Sequence, residues 1–179
     1  MRLTLILLTL VLFTFGTLLY SEEIPTCLIY DSTMGPGSDE SDSTLVARTL
    51  KYYIDRSGKF DSIIYNPELS SVLLAVQKEK LTVQDIQKNA DINSKLKVAQ
   101  VLDFNYVMIS EVSKTVENIT VNLNVCNLKT GVTTAYTSSS KNSDNEMQYN
   151  NSIHSVCSAV IGKAISEILG VNPNFSMAY

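Results

Sequence analysis

The chain has 179 residues, with 14 basic and 18 acidic side chains for a net charge of −4, and 45% of its residues are hydrophobic. That balance excludes a nucleic-acid binder, which needs clustered Lys and Arg, since the densest basic grouping, Lys78 to Lys80, is interrupted by Glu79. Three cysteines are too few for a disulfide scaffold.

Met1 and Arg2 precede Leu3 to Tyr20, eighteen positions without a charge, and Ser21-Glu22-Glu23 closes the run. A positive start, an apolar stretch and a polar boundary describe an export signal. Its length falls between the roughly 7–15 residues of a signal core and the roughly 20 that span a bilayer, so cleavage at Ser21, retention as an anchor and a buried core helix stay open. Lipid attachment at Cys27 is disfavoured, because Pro25-Thr26 precedes it where small residues are needed. The expected organisation is a signal or anchor over 1–21, one domain over 22–170 and a short tail over 171–179. The location is periplasmic or secreted, or the inner membrane if the anchor is kept, with membrane contact only through residues 3–20.

Cys27 to Tyr30 reads as a buried strand, and the polar stretch 31–43 (DSTMGPGSDESDS) as a surface loop ending in Ser43, placed to cap a helix from Thr44. Val46, Leu50, Tyr53 and Ile54 share one face of that helix, which Gly58 closes. Phe60 to Tyr65 is a second strand stopped by Asn66-Pro67. Val72, Ala75 and Val76 mark a helix running to about Lys80. Thr82–Lys88 and Ile92–Leu102 read as two more, the second with Ile92, Leu96, Ala99 and Leu102 on its apolar face.

From Asn105 the period falls to two. Tyr106–Val112 and Asn118–Leu128 are strands, the latter with Ile119, Val121, Leu123 and Val125 facing the core and Thr120, Asn122, Asn124 and Cys126 facing away. A tight reversal at Lys129-Thr130-Gly131 leads into Val132–Ser138, whose Thr134, Tyr136 and Ser138 are expected on the wet face. A long helix near Met147–Leu169 carries the stripe Ile153, Val156, Cys157, Val160, Ile161, Ala164, Ile165 and Ile168, ended by Gly170 and Pro173. The order β-α-β-α(α)-β-β-β-α gives an α/β (α+β) fold, a mixed five-stranded sheet with helices packed on it.

The segment 92–138 also carries a family pattern. Leu102-Asp103-Phe104-Asn105-Tyr106-Val107 stands where a bacterial envelope domain has a Leu-Gly-Ala-Asp-Tyr-Val element, and Asn127-Leu128-Lys129-Thr130-Gly131 where it has a hairpin. The chain resembles the domain shared by the TolB amino-terminal region, the curli-channel CsgG proteins and the lipoprotein activators of penicillin-binding proteins. Asp103-Phe104-Asn105 replaces the usual Gly-Ala-Asp, so a turn normally eased by glycine has to be made otherwise. The resemblance implies an envelope protein that works by contacting other proteins.

No residue pattern points to catalysis. The Gly35-Pro36-Gly37-Ser38 loop lies between a strand and a helix, where phosphate cradles occur, but it lacks the Lys-Ser/Thr pair and continues into Asp39-Glu40-Ser41-Asp42, which repels phosphate. His154, the one histidine, reads as a boundary side chain, and no nucleophile elbow accompanies it. No metal or cofactor is expected. Two cysteine pairings, Cys126 with Cys157 and Cys27 with Cys126, are weighed against free thiols.

Three functions follow: an envelope interaction module contacting another envelope protein, a small-ligand or nucleotide binder using the Gly35–Gly37 loop, and a membrane-anchored structural subunit. Candidate contact residues are Tyr136, Asn122 and Asn124 on the hairpin, and Gly35 and Gly37 in the loop. A polar pocket beside Gly35 or Tyr30 favours the second function; a flat bare face favours the first.

Overall fold

The computed structural model describes residues 24–170, so the expected signal or anchor over 1–21 and the expected tail over 171–179 lie outside the described residues. The elements in chain order are β1 (Thr26–Ile29), β2 (Thr33–Met34), α1 (Glu40–Ser57), β3 (Asp61–Ile64), α2 (Ser70–Gln77), α3 (Ile92–Val101), β4 (Tyr106–Lys114), β5 (Asn118–Asn127), β6 (Thr133–Lys141) and α4 (Glu146–Leu169). They form the expected mixed α/β fold. The sheet order is β3-β1-β4-β5-β6, with β1 parallel to β3 and β4, and with β4, β5 and β6 successively antiparallel.

The sixth strand, β2, lies in the stretch expected to be loop. It pairs parallel with β4 through Thr33↔Glu111 and Met34↔Val112, along the edge that β1 follows through Ile29↔Met108. Three residues, Tyr30 to Ser32, stand opposite two, Ile109 and Ser110, so the line is broken by a one-residue bulge. Ser32 and Ser110 pin the bulge by a hydroxyl hydrogen bond of 2.5 Å.

Helix α1 begins earlier than the sequence suggests. Asp39, not Ser43, is the N-cap: its carboxylate accepts the Asp42 amide at 3.0 Å, and the Asp42 carboxylate accepts the Asp39 amide at 3.1 Å. The acidic run thus serves a helix start, where negative charge meets the positive end of the dipole. Ser43 is instead buried, and its hydroxyl donates to the Ser32 carbonyl. Gly58 ends the helix at φ +62°.

Residues 82–88 do not form the expected helix. The segment is a run of turns instead, in which the Asp85 carboxylate accepts the Thr82 amide at 2.7 Å and the Lys97 ammonium at 2.6 Å. The apolar face of α3 is rotated from expectation: Lys95, Val98 and Ala99 are buried while Ile92 is 52% exposed. The Lys95 ammonium lies 5.3 Å from the centre of the Tyr30 ring, so its stem takes the inner position. At the end of α3, Asp103 adopts φ +61°, which makes the turn that glycine makes in the resembling domain; aspartate tolerates the left-handed region better than most residues.

Two cores result. Helices α1 and α4 cover one face, where Val46, Leu50 and Ile54 meet Met108, Leu123, Val156, Ile161 and Ile165. Helices α2 and α3 cover part of the other, where Val72, Val98 and Ala99 meet Leu28, Val107 and Cys126. Helix α4 is long and apolar enough to cross a membrane by length and composition, yet seven of its side chains from Ile153 to Ile165 are buried in the first core. Ile161→Asp buries an unpaired charge there and is expected to cost more than about 3 kcal/mol. Loss of soluble protein, or a collapsed urea midpoint, checks this; an unchanged midpoint places the stripe in water.

Candidate functional site

Among the described residues, the second face of the sheet is covered over β1 and the first half of β4 and bare beyond. Along β4, Val107 is buried in the second core and Ile109 packs against it, whereas Glu111 and Ser113 on the same face are only half-buried. Their neighbours across the ladder are Asn122 and Thr120, then Thr137 and Ser139. The Thr137 hydroxyl donates to the Asn122 side-chain oxygen at 2.8 Å, and Thr120 and Ser139 share a hydroxyl contact of 2.8 Å. Cross-strand polar pairs of this kind hold side chains in fixed positions on a solvated face. Asn122 and Asn124 stand on it as expected.

Tyr136 does not. It is 6% exposed and belongs to the first core, directly opposite Leu123 in the ladder. The reason is the hairpin. The Asn127 amide donates to the Val132 carbonyl at 2.9 Å, which leaves four residues, Leu128 to Gly131, in the loop instead of three. Gly131 at φ +71° closes it. One added residue shifts the pairing by one and turns every side chain of β6 to the opposite face. Thr134, Tyr136 and Ser138 therefore point towards α4, while Ala135, Thr137 and Ser139 are exposed. Burial first, and then the neighbouring Glu167 charge, raise the Tyr136 hydroxyl pKa.

The glycine loop is not a free surface loop. The Gly35 amide donates to the Val112 carbonyl at 2.8 Å, the Lys114 amide to the Pro36 carbonyl at 2.9 Å, and the Ser38 hydroxyl to the Val112 carbonyl at 2.8 Å. A side chain at Gly35 would meet Ser113 Oγ at 2.4 Å and Glu111 Oε1 at 2.9 Å; one at Gly37, which sits at φ +74°, would meet the Lys114 carbonyl oxygen at 2.0 Å. Both glycines allow close approach to β4. The Gly35 amide is already committed to β4, so the loop does not form the phosphate cradle considered for it. Gly35 instead borders the bare face through Glu111 and Ser113, which brings it into one surface with Asn122 and Asn124.

Other candidates resolve as structure. Cys27, Cys126 and Cys157 are free and buried; Cys27 and Cys157 lie in the first core, Cys126 in the second, and β4 stands between β1 and β5. Neither weighed pairing forms. His154 Nδ1 and the Tyr53 hydroxyl lie 3.3 Å apart at the α1–α4 contact. Among the described residues no group of three or more His, Cys, Asp or Glu side chains is placed to hold a metal. A cavity of about 590 Å³ does open beside Tyr30, lined by Asp31, Thr44, Arg48, Tyr65 and Lys88; neither Arg48 nor Lys88 carries a sequence motif.

The whole chain matches no family model and no curated protein sequence. Among solved structures it is similar to TolB from Acinetobacter baumannii, with 14% identity and a TM-score of 0.52 over 86% of this chain and 30% of that one. It is similar also to the LpoB C-terminal domain from Salmonella enterica (15% identity, TM-score 0.48, 66% of this chain and 84% of that one). A third is the PelC dodecamer from Paraburkholderia phytofirmans (14% identity, TM-score 0.46, 80% and 85%). The TolB match shows a shared fold over less than a third of that chain's length. The curli-channel part of the resemblance gains no support from these structures.

Tyr136→Ala empties a core position and is expected to cost about 3–5 kcal/mol, the usual range for removing a buried aromatic ring. Urea unfolding measures it; a loss under about 1 kcal/mol would put the ring in solvent. Asp85 gives a pH signature. Its carboxyl is held down to about 2, first by the Lys97 hydrogen bond and then by Thr82. Because the folded value lies below the unfolded one, the contribution is complete above the ordinary carboxylate range and is lost as pH falls towards 2. Hydrogen-exchange protection over 82–91, corrected for the intrinsic pH dependence of exchange, should fall between pH 4 and pH 2, and Lys97→Met should remove most of that change.

Proposed function

We propose that this chain is an exported module of the bacterial envelope that acts by binding another protein, without catalysis. The observation that carries the reading is the bare polar face built by β4, β5 and β6, with Gly35 on its margin. A sheet covered by helices on one side and left open on half of the other offers an extended, rigid platform whose polar groups are already ordered against one another. Such pre-organisation lowers the entropy lost when a partner docks. The apolar segment 3–20 supports export, and the resemblance to the TolB amino-terminal region and to the activators of penicillin-binding proteins supports an envelope partner. The single domain over 22–170 and the periplasmic location belong to the same proposal.

The partner's contacts are expected at Thr137, Asn122 and Asn124, in place of Tyr136. A photo-crosslinking residue at Thr137, introduced into the full chain in its native host, should capture one envelope protein reproducibly, whereas the same residue at Ser155 on α4 should not. The double variant Asn124→Arg, Thr137→Arg should abolish that capture and keep stability within about 1 kcal/mol, since both positions lie outside the cores. Equal capture from Thr137 and Ser155, or undiminished capture by the double variant, would reject this face.

A further inference from the structure

We propose that the cleft at the carboxyl ends of β1 and β3 is a binding site for an oxyanion, a carboxylate or a phosphate group, gripped by Arg48. It lies on the opposite half of the molecule's sheet from the hairpin face, and it does not depend on that face being a docking surface. Ligands of open α/β sheets lie outside the carboxyl ends of parallel strands, where the loops diverge and leave a crevice. Here the crevice is a cavity of about 590 Å³, within the range of small-molecule sites, and its lining comes from four separate parts of the chain.

The floor is fixed. The Tyr30 and Tyr65 rings lie 4.5 Å apart, and each hydroxyl is tied to backbone, Tyr30 to the Lys95 carbonyl at 3.1 Å and Tyr65 to the Ile86 carbonyl at 2.6 Å. Both rings are almost wholly buried, so they give the cleft a rigid wall. The β1–β2 bulge turns the chain at Tyr30–Ser32 and sets Asp31 on the rim. Bulges of this sort re-aim side chains next to sites.

Two cations, Arg48 and Lys88, and one acid, Asp31, line the walls. Thr44 and Arg48 lie one turn apart on α1 and line the cleft together. Arg48 is exposed and makes no hydrogen bond or ion pair within the described residues. A guanidinium facing a cleft without a carboxylate of its own offers a planar fork of donors suited to two oxygens of one anion. Lys88 enters from the segment after α2, 3.2 Å from Asp31 and 3.4 Å from Glu40. Lys88 is thus shared between Asp31 and Glu40, and Arg48 is the lining charge without an ion pair among the described residues. An anion with a compact body fits this arrangement; a cation meets Arg48 and is refused.

The test uses the full chain in mild detergent, titrated with inorganic phosphate and with citrate, with sodium chloride at matched ionic strength as control. Calorimetry and the thermal midpoint should both show saturable binding of at least one of the two anions and none of chloride. Arg48→Gln should weaken that binding at least tenfold without lowering the midpoint of the free protein, and Arg48→Lys, which keeps the charge and loses the fork, should weaken it less. Tighter phosphate binding names a phosphorylated ligand, and tighter citrate binding a carboxylate. Non-saturable behaviour, equal effects of chloride, or undiminished affinity in Arg48→Gln overturns the proposal. Crosslinking from Thr137 should be unchanged in Arg48→Gln, so failure here is distinct from failure of the docking face.

Discussion

Strand β4 has to meet two different surroundings on one of its faces, and most of the architecture follows from how it does so. It is the strand at which the sheet changes from parallel to antiparallel, with β1 and β2 on one side and β5 on the other. Its first half is buried on both faces, so Val107 and Met108 are both apolar and fully enclosed. Its second half keeps one face in the core through Val112 and presents Glu111 and Ser113 on the other, where no helix of the described residues reaches. The switch along a single strand divides the molecule into a half with helices on both faces, which holds the cleft, and a half covered on one face, which holds the platform.

That division needs the two halves to be held in register, and polar contacts do this where the apolar cores cannot. Asp42, almost fully buried, accepts the Tyr149 hydroxyl of α4, and the Lys114 ammonium at the end of β4 lies 3.8 Å away and 4.5 Å from the Tyr149 ring centre. One carboxylate therefore links the start of α1, the start of α4 and the end of β4. Burial, and after it the hydrogen bond to Asp42, raise the Tyr149 hydroxyl well above its ordinary value, which keeps it a donor. The glycine loop complements this link, because Gly35 and Gly37 let the chain lie against β4 just before α1 begins.

Much of the fold was legible because periodicity records burial directly. The stripe on α4 from Ile153 to Ile165 and the alternation of β5 from Ile119 to Val125 both appear in the structure as read, whereas Cys126, expected on the wet face, is buried in the second core. Short elements were read less well. Residues 82–88 form turns and not the helix their spacing suggests, and β2 carries no periodic signal because it is two exposed residues. On α3, a lysine displaced an isoleucine from the inner face, an exchange that depends on the Tyr30 ring from a distant strand.

The candidate site divides in the same way. The sequence by itself determined that β5 has a polar side bearing Asn122 and Asn124, because alternation along one strand is a local property. It did not determine which side of β6 shares that face, because parity depends on the length of the intervening loop, and Leu128 in the loop instead of the strand moves Tyr136 from water into the core. Arg48 and Lys88 stood as ordinary charged residues in the sequence, 40 positions apart. Only the parallel pairing of β1 with β3, which brings Tyr30 and Tyr65 just past the two strand ends to one side of the sheet, puts them around a common cavity. Local alternation is written residue by residue, whereas the meeting of charges across a crevice is set by the order in which strands pair.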